Sequence, residues 1–138
     1  MVGSVILATP EATELSDDYK SAVVDCGYGE TIHTKVFDIA NEATIDDVPW
    51  PDHIGMRVRE NDFTRKWHGS ENTLVGQLDD IGPDYTDSIK NGDLRTSPVL
   101  VGEGAGSIRS VQPVAAVIEN ICDKAQDLLA QRYRSLSG

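Results

Sequence analysis

The stretch from residue 99 to residue 133 limits the fold more than any other. The apolar run Val99-Leu100-Val101 enters a glycine-spaced turn, Gly102-Glu103-Gly104-Ala105-Gly106, and the turn opens a long amphipathic helix. Val114, Val117, Ile118, Ile121, Ala125, Leu128 and Leu129 recur at i, i+3, i+4, i+7, which predicts one helix face buried against a core. Pro113 stands near the helix start, where its missing N–H costs nothing because the first amides of a helix have no partner within it. Glu119, Asn120, Asp123, Lys124, Asp127 and Gln131 fill the intervening positions as a solvated face.

The rest of the chain adds short elements in front of this helix. Residues 2–8 form an apolar run that reads as a buried strand, ended by Thr9-Pro10, and Thr9 is placed to cap a helix that Pro10 would begin, with Glu11 in its first turn. A helix is expected after Ser16, with Asp17 and Asp18 in its first turn, Tyr19, Ala22, Val23 and Cys26 inward, and Gly27 and Gly29 as its stop. Residues 31–38 alternate with period 2 and predict a strand. Residues 39–54 are polar and read as an ordered loop pinned by Trp50 between two prolines. Residues 61–69 suggest one or two helical turns ending at Gly69, with Phe63 and Trp67 on one face as core anchors. Residues 70–80 continue as a weak helix that Gly82-Pro83 should break, and residues 84–90 as another. A short strand is expected at residues 98–101.

With 138 residues the chain suffices for one domain. A complete eight-fold β/α barrel needs roughly 250 residues and is excluded. The formal charge of −11 argues against a nucleic-acid partner, which requires clustered Lys and Arg, and it fits an acidic surface. Cys26 and Cys122 lie in apolar helical patterns and read as buried free thiols. No apolar run approaches the ~20 residues of a membrane span. The opening residues lack a basic region, so a cytoplasmic location is expected. A lone strand at residues 2–8 cannot satisfy its own backbone groups, and the chain therefore reads as the tail of something larger.

Several motifs occur in a telling succession: residues 3–12 (Gly-Ser-Val-Ile-Leu-Ala-Thr-Pro-Glu-Ala), Tyr19-Lys20, Thr34-Lys35-Val36-Phe37-Asp38, the Asn-x-Phe-x-x-x-Trp-x-Gly pattern of residues 61–69, and Gly-Glu-Gly-Ala-Gly-Ser-Ile-Arg at 102–109 followed by Pro113. In this order they resemble the nitronate monooxygenases, formerly 2-nitropropane dioxygenases. The resemblance implies an α/β fold: a C-terminal fragment of an FMN-binding TIM barrel, with its last strand, a mostly helical remainder and a short accessory strand. Residues 1–30 would hold the last strand and following helices, 31–98 an accessory segment, and 99–138 the glycine turn and closing helix.

The resemblance further implies oxidation of alkyl nitronates with O2. It assigns Gly3 and Ser4 to the FMN phosphate through backbone amides, and it makes Gly102, Glu103 and Gly104 cofactor-side candidates. Chemically, glycine lets backbone approach a phosphate and the hydroxyl adds a donor. The glycine turn is not a dinucleotide fingerprint: its third glycine comes one place early and only helix follows. Relatives carry a histidine base upstream of the last strand. None of His33, His53 or His68 lies in a matching motif, and Asp17-Asp18, Asp46-Asp47 and Asp79-Asp80 lack the spacing of metal ligands, so no catalytic or metal residue is assigned. The missing barrel portion would be the partner, with a homo-oligomer as the other possibility, and the fragment alone should not turn over nitronates. Two alternatives stand beside this one: a fragment of a flavin-dependent enoyl reductase on a similar barrel, and a non-catalytic module whose apolar residues 2–7 need a covering partner.

Overall fold

The computed structural model describes residues 2–45, 50–51 and 53–137. Its elements in chain order are α1 (Gly3–Leu7), α2 (Asp17–Val24), β1 (Thr31–Thr34), α3 (Val36–Thr44), β2 (Met56–Arg59), α4 (Asp62–Trp67), α5 (Glu71–Asn91), a 3-10 turn (Glu103–Ser107) and α6 (Val114–Ser137). The protein is helix-rich around a small antiparallel sheet, in which Thr31 pairs with Arg59 and Thr34 with Met56. Leu100 bridges Val58 on the other side of β2. Val99 accepts from the Arg59 amide at 2.9 Å and the Val101 amide donates to Arg57 at 3.2 Å, so residues 99–101 run as a third, minimal strand.

Two apolar clusters lie beside this sheet. One joins Ala8, Ala22, Val23, Cys26, Val99, Val101, Ala105 and Ile108. The other joins Val36, Phe37, Ala40, Val58, Phe63, Trp67, Leu74 and Tyr85. Phe63 is central to the second: its ring lies 5.2 Å from Phe37, 5.0 Å from Tyr85 and 6.4 Å from Trp67. Phe63 and Trp67 are thus core anchors, and Gly69 follows them with φ +80°, a left-handed conformation that glycine adopts without strain.

Local chemistry explains where elements begin. Ser16 Oγ accepts from the Tyr19 amide at 3.2 Å and starts α2 as expected. Asn61 caps α4: its side chain accepts from the Thr64 amide at 3.0 Å while Thr64 Oγ1 accepts from the Asn61 amide at 2.8 Å.

Several expectations fail, each for a physical reason. Residues 2–8 are no strand; Gly3–Leu7 is a helix. A strand needs a neighbour for its N–H and C=O groups, whereas a helix satisfies them within itself. Thr9 does not cap a helix at Pro10 but donates its hydroxyl back to the Ile6 carbonyl at 2.8 Å, closing α1. The strand expected over 31–38 stops at Thr34, whose Oγ1 accepts from the Val36 amide at 3.3 Å and launches α3. Residues 39–44 of the supposed loop 39–54 are therefore helix; residues 46–49 and 52 lie outside the described set. Trp50 does not anchor this stretch as a core residue: it is 55% exposed and belongs to neither apolar cluster of the described residues.

Two further corrections concern long helices. α5 runs unbroken through Gly82-Pro83. Pro83 forgoes one helix hydrogen bond and crowds the carbonyl four residues back, but the residue before it, Gly82, has no Cβ to add a further clash; a Cβ there would also meet Thr44 Cγ2 at 3.2 Å, so α3 packs tightly on this point. α6 exists, but its apolar face is not buried. Only Val117 is, at 6% exposure, while Leu128, Leu129 and Tyr133 stand 65%, 72% and 73% exposed. Leaving such side chains in water forgoes roughly 1.5–3 kcal/mol each. Cys122, on the same helix, is exposed too; Cys26 alone is the buried free thiol expected.

Candidate functional site

A hollow of about 870 Å³ opens where α1, the end of β2, the 3-10 turn and the first turns of α6 meet. The two ends of the chain are brought together here. The Gly102 amide donates to Ser4 Oγ at 2.8 Å, fixing the turn against α1. Glu11 holds the base of α6, each carboxylate oxygen 3.2 Å from the Val114 amide that donates to it. Tyr19 Oη accepts from the Leu100 amide at 2.7 Å, so α2 steers residues 99–101 toward the turn; burial pushes this phenol's pKa up.

All five residues singled out in the sequence, Gly3, Ser4, Gly102, Glu103 and Gly104, line this one hollow. The glycines divide by what surrounds them. A Cβ on Gly3 or Gly104 would meet nothing within 4 Å, so the protein's own packing does not demand glycine there and leaves open space. A Cβ on Gly106 would lie 2.6 Å from the Tyr28 backbone nitrogen and 2.7 Å from its ring. Gly106 is glycine for packing; Gly3 and Gly104 face the hollow.

Charged walls complete the site. Arg57 pairs with Glu103 at 2.9 Å, which neutralises the one carboxylate on the rim. Arg109 and Lys124 also line the hollow, and no acid among the described residues lies within ion-pairing distance of either. Arg109 donates to the Gly106 carbonyl and sits 6.0 Å from the Tyr28 ring centre. Sequence reasoning missed these cations. A signal existed: three of only 12 Lys and Arg in a chain of charge −11 converge here, yet they are scattered in sequence. A hollow with backbone amides, the hydroxyls of Ser4, Ser107 and Ser110 and the cations Arg109 and Lys124 is suited to an anionic group such as a phosphate.

The histidines lie elsewhere. His33 Nε2 is 3.1 Å from the Gly55 carbonyl, and His68 Nδ1 is 3.0 Å from Thr34 Oγ1. Glu71, beside His68, has its carboxyl pKa lowered chiefly because the Gly69 amide donates to it at 2.9 Å. A carboxyl whose pKa falls on folding stabilises the fold above its unfolded pKa and loses that contribution as pH drops through the folded value. Glu71→Gln should therefore lower the melting temperature at pH 7, and the difference from wild type should shrink on acidification below about pH 4, as calorimetry at several pH values would record.

A second hollow, of about 500 Å³, is lined by Asp18, Asp25, Arg59, Asp62, Arg65, Asp93 and Arg95 among others. Two of its three arginines are paired, Arg65 on Asp62 at 2.6 Å and Arg95 on Asp93 at 2.7 Å, while five acids against three arginines leave its lining acidic. Arg95 holds the Asp93 carboxyl below the ordinary range. Among the described residues no group of three or more His, Cys, Asp or Glu is placed to hold a metal ion. No described helix is long and apolar enough to cross a membrane.

No family model matches the chain, and no curated protein matches it. Solved structures do. FabK from Thermotoga maritima superposes with a TM-score of 0.65 over 94% of this chain at 22% identity, and its M276A mutant with 0.58 over 92% at 24%. The fold resembles part of FabK. Overlap takes in only 37% and 33% of those FabK chains, so the protein spans about a third of the structures it matches. At this identity the likeness speaks to fold alone.

Proposed function

We propose that this chain is the cofactor-holding C-terminal part of an FMN-dependent oxidoreductase, with Gly3, Ser4, Gly102 and Gly104 lining the flavin phosphate and Arg109 and Lys124 balancing its charge. The observation that carries this reading is the convergence of those residues on one hollow, with open space at Gly3 and Gly104. Its size falls within the ~300–1,000 Å³ of cofactor sites. Barrel enzymes commonly bind phosphate between late loops and a short extra helix, which suits α1 better than the expected strand. The likeness to part of FabK is a likeness of fold, and it is compatible with this reading.

When bound, the flavin would supply two-electron redox chemistry; this chain's part is to hold and orient it. Ser4, fixed by the Gly102 amide, keeps its own O–H free to donate. Arg57 and Glu103 neutralise each other at the rim, leaving the net positive charge inside. No histidine is among the described residues that line the hollow, and this reading assigns no proton-transfer role to this chain. By motif succession the substrate is an alkyl nitronate oxidised with O2. A second reading, reduction of an enoyl substrate by a nicotinamide on a similar barrel, fits the same hollow equally.

FMN titration followed by quenching of flavin fluorescence tests the shared core of both readings. Saturable quenching is expected, with riboflavin, which lacks the phosphate, binding at least tenfold more weakly. Arg109→Glu should weaken FMN about tenfold, on the order of 1.4 kcal/mol, and leave riboflavin unaffected. Equal affinity for FMN and riboflavin, or no quenching, overturns the proposal. In the whole enzyme, anaerobic bleaching of the flavin by a nitronate or by a nicotinamide separates the two substrates.

A further inference from the structure

We propose that the apolar stripe along α6 is a docking face for the remaining strands and helices of a FabK-like barrel, supplied by polypeptide outside this chain. The inference rests on the flavin-barrel reading but concerns a different surface. Ile118, Ile121, Leu128, Leu129, Tyr133 and Leu136 share one side of the helix at i, i+3, i+4, i+7 spacing, and all are exposed. A stripe of that length on one helix is more apolar surface than a lone soluble domain ordinarily shows to water.

The share of the FabK fold that lies outside the overlap supports the choice of occupant. α6 has 24 residues, and the overlap with FabK takes in 94% of the 138 in this chain. Most of α6 therefore belongs to the matched architecture and is not an appended tail. Only 37% of the FabK chain lies in that overlap, so the greater part of its fold packs outside the matched region. The stripe is also continuous with the hollow: Val117 and Ile121 line it together with Val2 and, from α1, Val5. A body seated on α6 would both dry the stripe and close the open side of the candidate site. A second copy fits less well, because two chains of charge −11 repel.

The test places a photo-crosslinking amino acid at Leu129 in the assembly isolated from the protein's own source, with the crosslinked peptides sequenced. Crosslinks to a polypeptide bearing the other barrel strands are expected. Leu128→Glu combined with Leu129→Glu should cut that assembly at least tenfold while leaving the chain's helix content, by circular dichroism, as in wild type, since both side chains stand in solvent already. Crosslinks to a second copy of this chain, or assembly of the double variant as in wild type, overturn the docking face. A crosslinked barrel polypeptide that carries no flavin would instead sink the flavin reading and leave the docking face standing.

Discussion

Phe63→Ala is expected to destabilise the protein by about 4 kcal/mol. The phenylalanine is 6% exposed, and its ring touches three other aromatics, stacked on Phe37 and tilted against Tyr85 and Trp67. Truncation removes the transfer energy of a whole ring. It also leaves a cavity that its neighbours cannot fill: Phe37 is locked into α3, Trp67 closes α4, and Tyr85 is tethered by donating to Asn41 Oδ1 at 2.6 Å. Urea unfolding followed by tryptophan fluorescence reports this directly, because Trp67 is buried and Trp50 is not. Phe63→Leu, which keeps more of the volume, should cost clearly less. A loss below about 1.5 kcal/mol for the alanine variant would mean that this cluster is not the packed centre of the fold.

The same cluster shows why part of the architecture was legible in the sequence. Phe63 and Trp67, four apart behind an asparagine cap, announce one helix face, and Asp17 and Asp18 behind Ser16 announce another helix start. Both signals are local: the cap and the face lie within one or two turns of each other. α3 was missed although Val36, Phe37, Ala40 and Asn41, all buried, have helical spacing. The preceding Thr31, Ile32, His33 and Thr34 alternate as a strand, and the switch of period falls in mid-run, marked only by the Thr34 hydroxyl. β2 is four residues long, too short for alternation to stand out.

Residues 2–8 failed differently. A short apolar run fits a buried strand or a helix equally well, and pairing decides between them. Pairing is a property of the whole molecule and is not written in seven residues. α6 failed in the opposite sense: its periodicity located the helix but could not say what its face meets. The candidate hollow was half legible for a related reason. Its glycines and Ser4 stand out as residues that permit close approach, and they were found. Arg57, Arg109 and Lys124 are ordinary surface cations until the fold collects them around one opening, which no spacing rule reveals.

Asn61→Ala is expected to cost about 3 kcal/mol and to weaken flavin binding, although Asn61 does not line the hollow that would hold the flavin. Its side chain has two duties. The carbonyl caps α4 at 3.0 Å from the Thr64 amide, a contact worth ~1 kcal/mol. The Nδ2 donates to the Leu94 carbonyl at 3.2 Å and the Ser97 carbonyl at 2.9 Å, and stripping a donor from buried acceptors costs a further ~1–3 kcal/mol. Those two carbonyls belong to the turn that feeds residues 99–101, which in turn deliver Gly102 to Ser4. Asn61→Asp separates the duties. It keeps the cap acceptor and adds a charge favoured at a helix start, yet it turns a carboxylate toward two carbonyls. If the tether to residues 94–97 dominates, aspartate should be at least as damaging as alanine in urea unfolding and equally poor in FMN titration. Near wild-type stability for Asn61→Asp would show that the cap alone matters and would cut the link from α4 to the hollow.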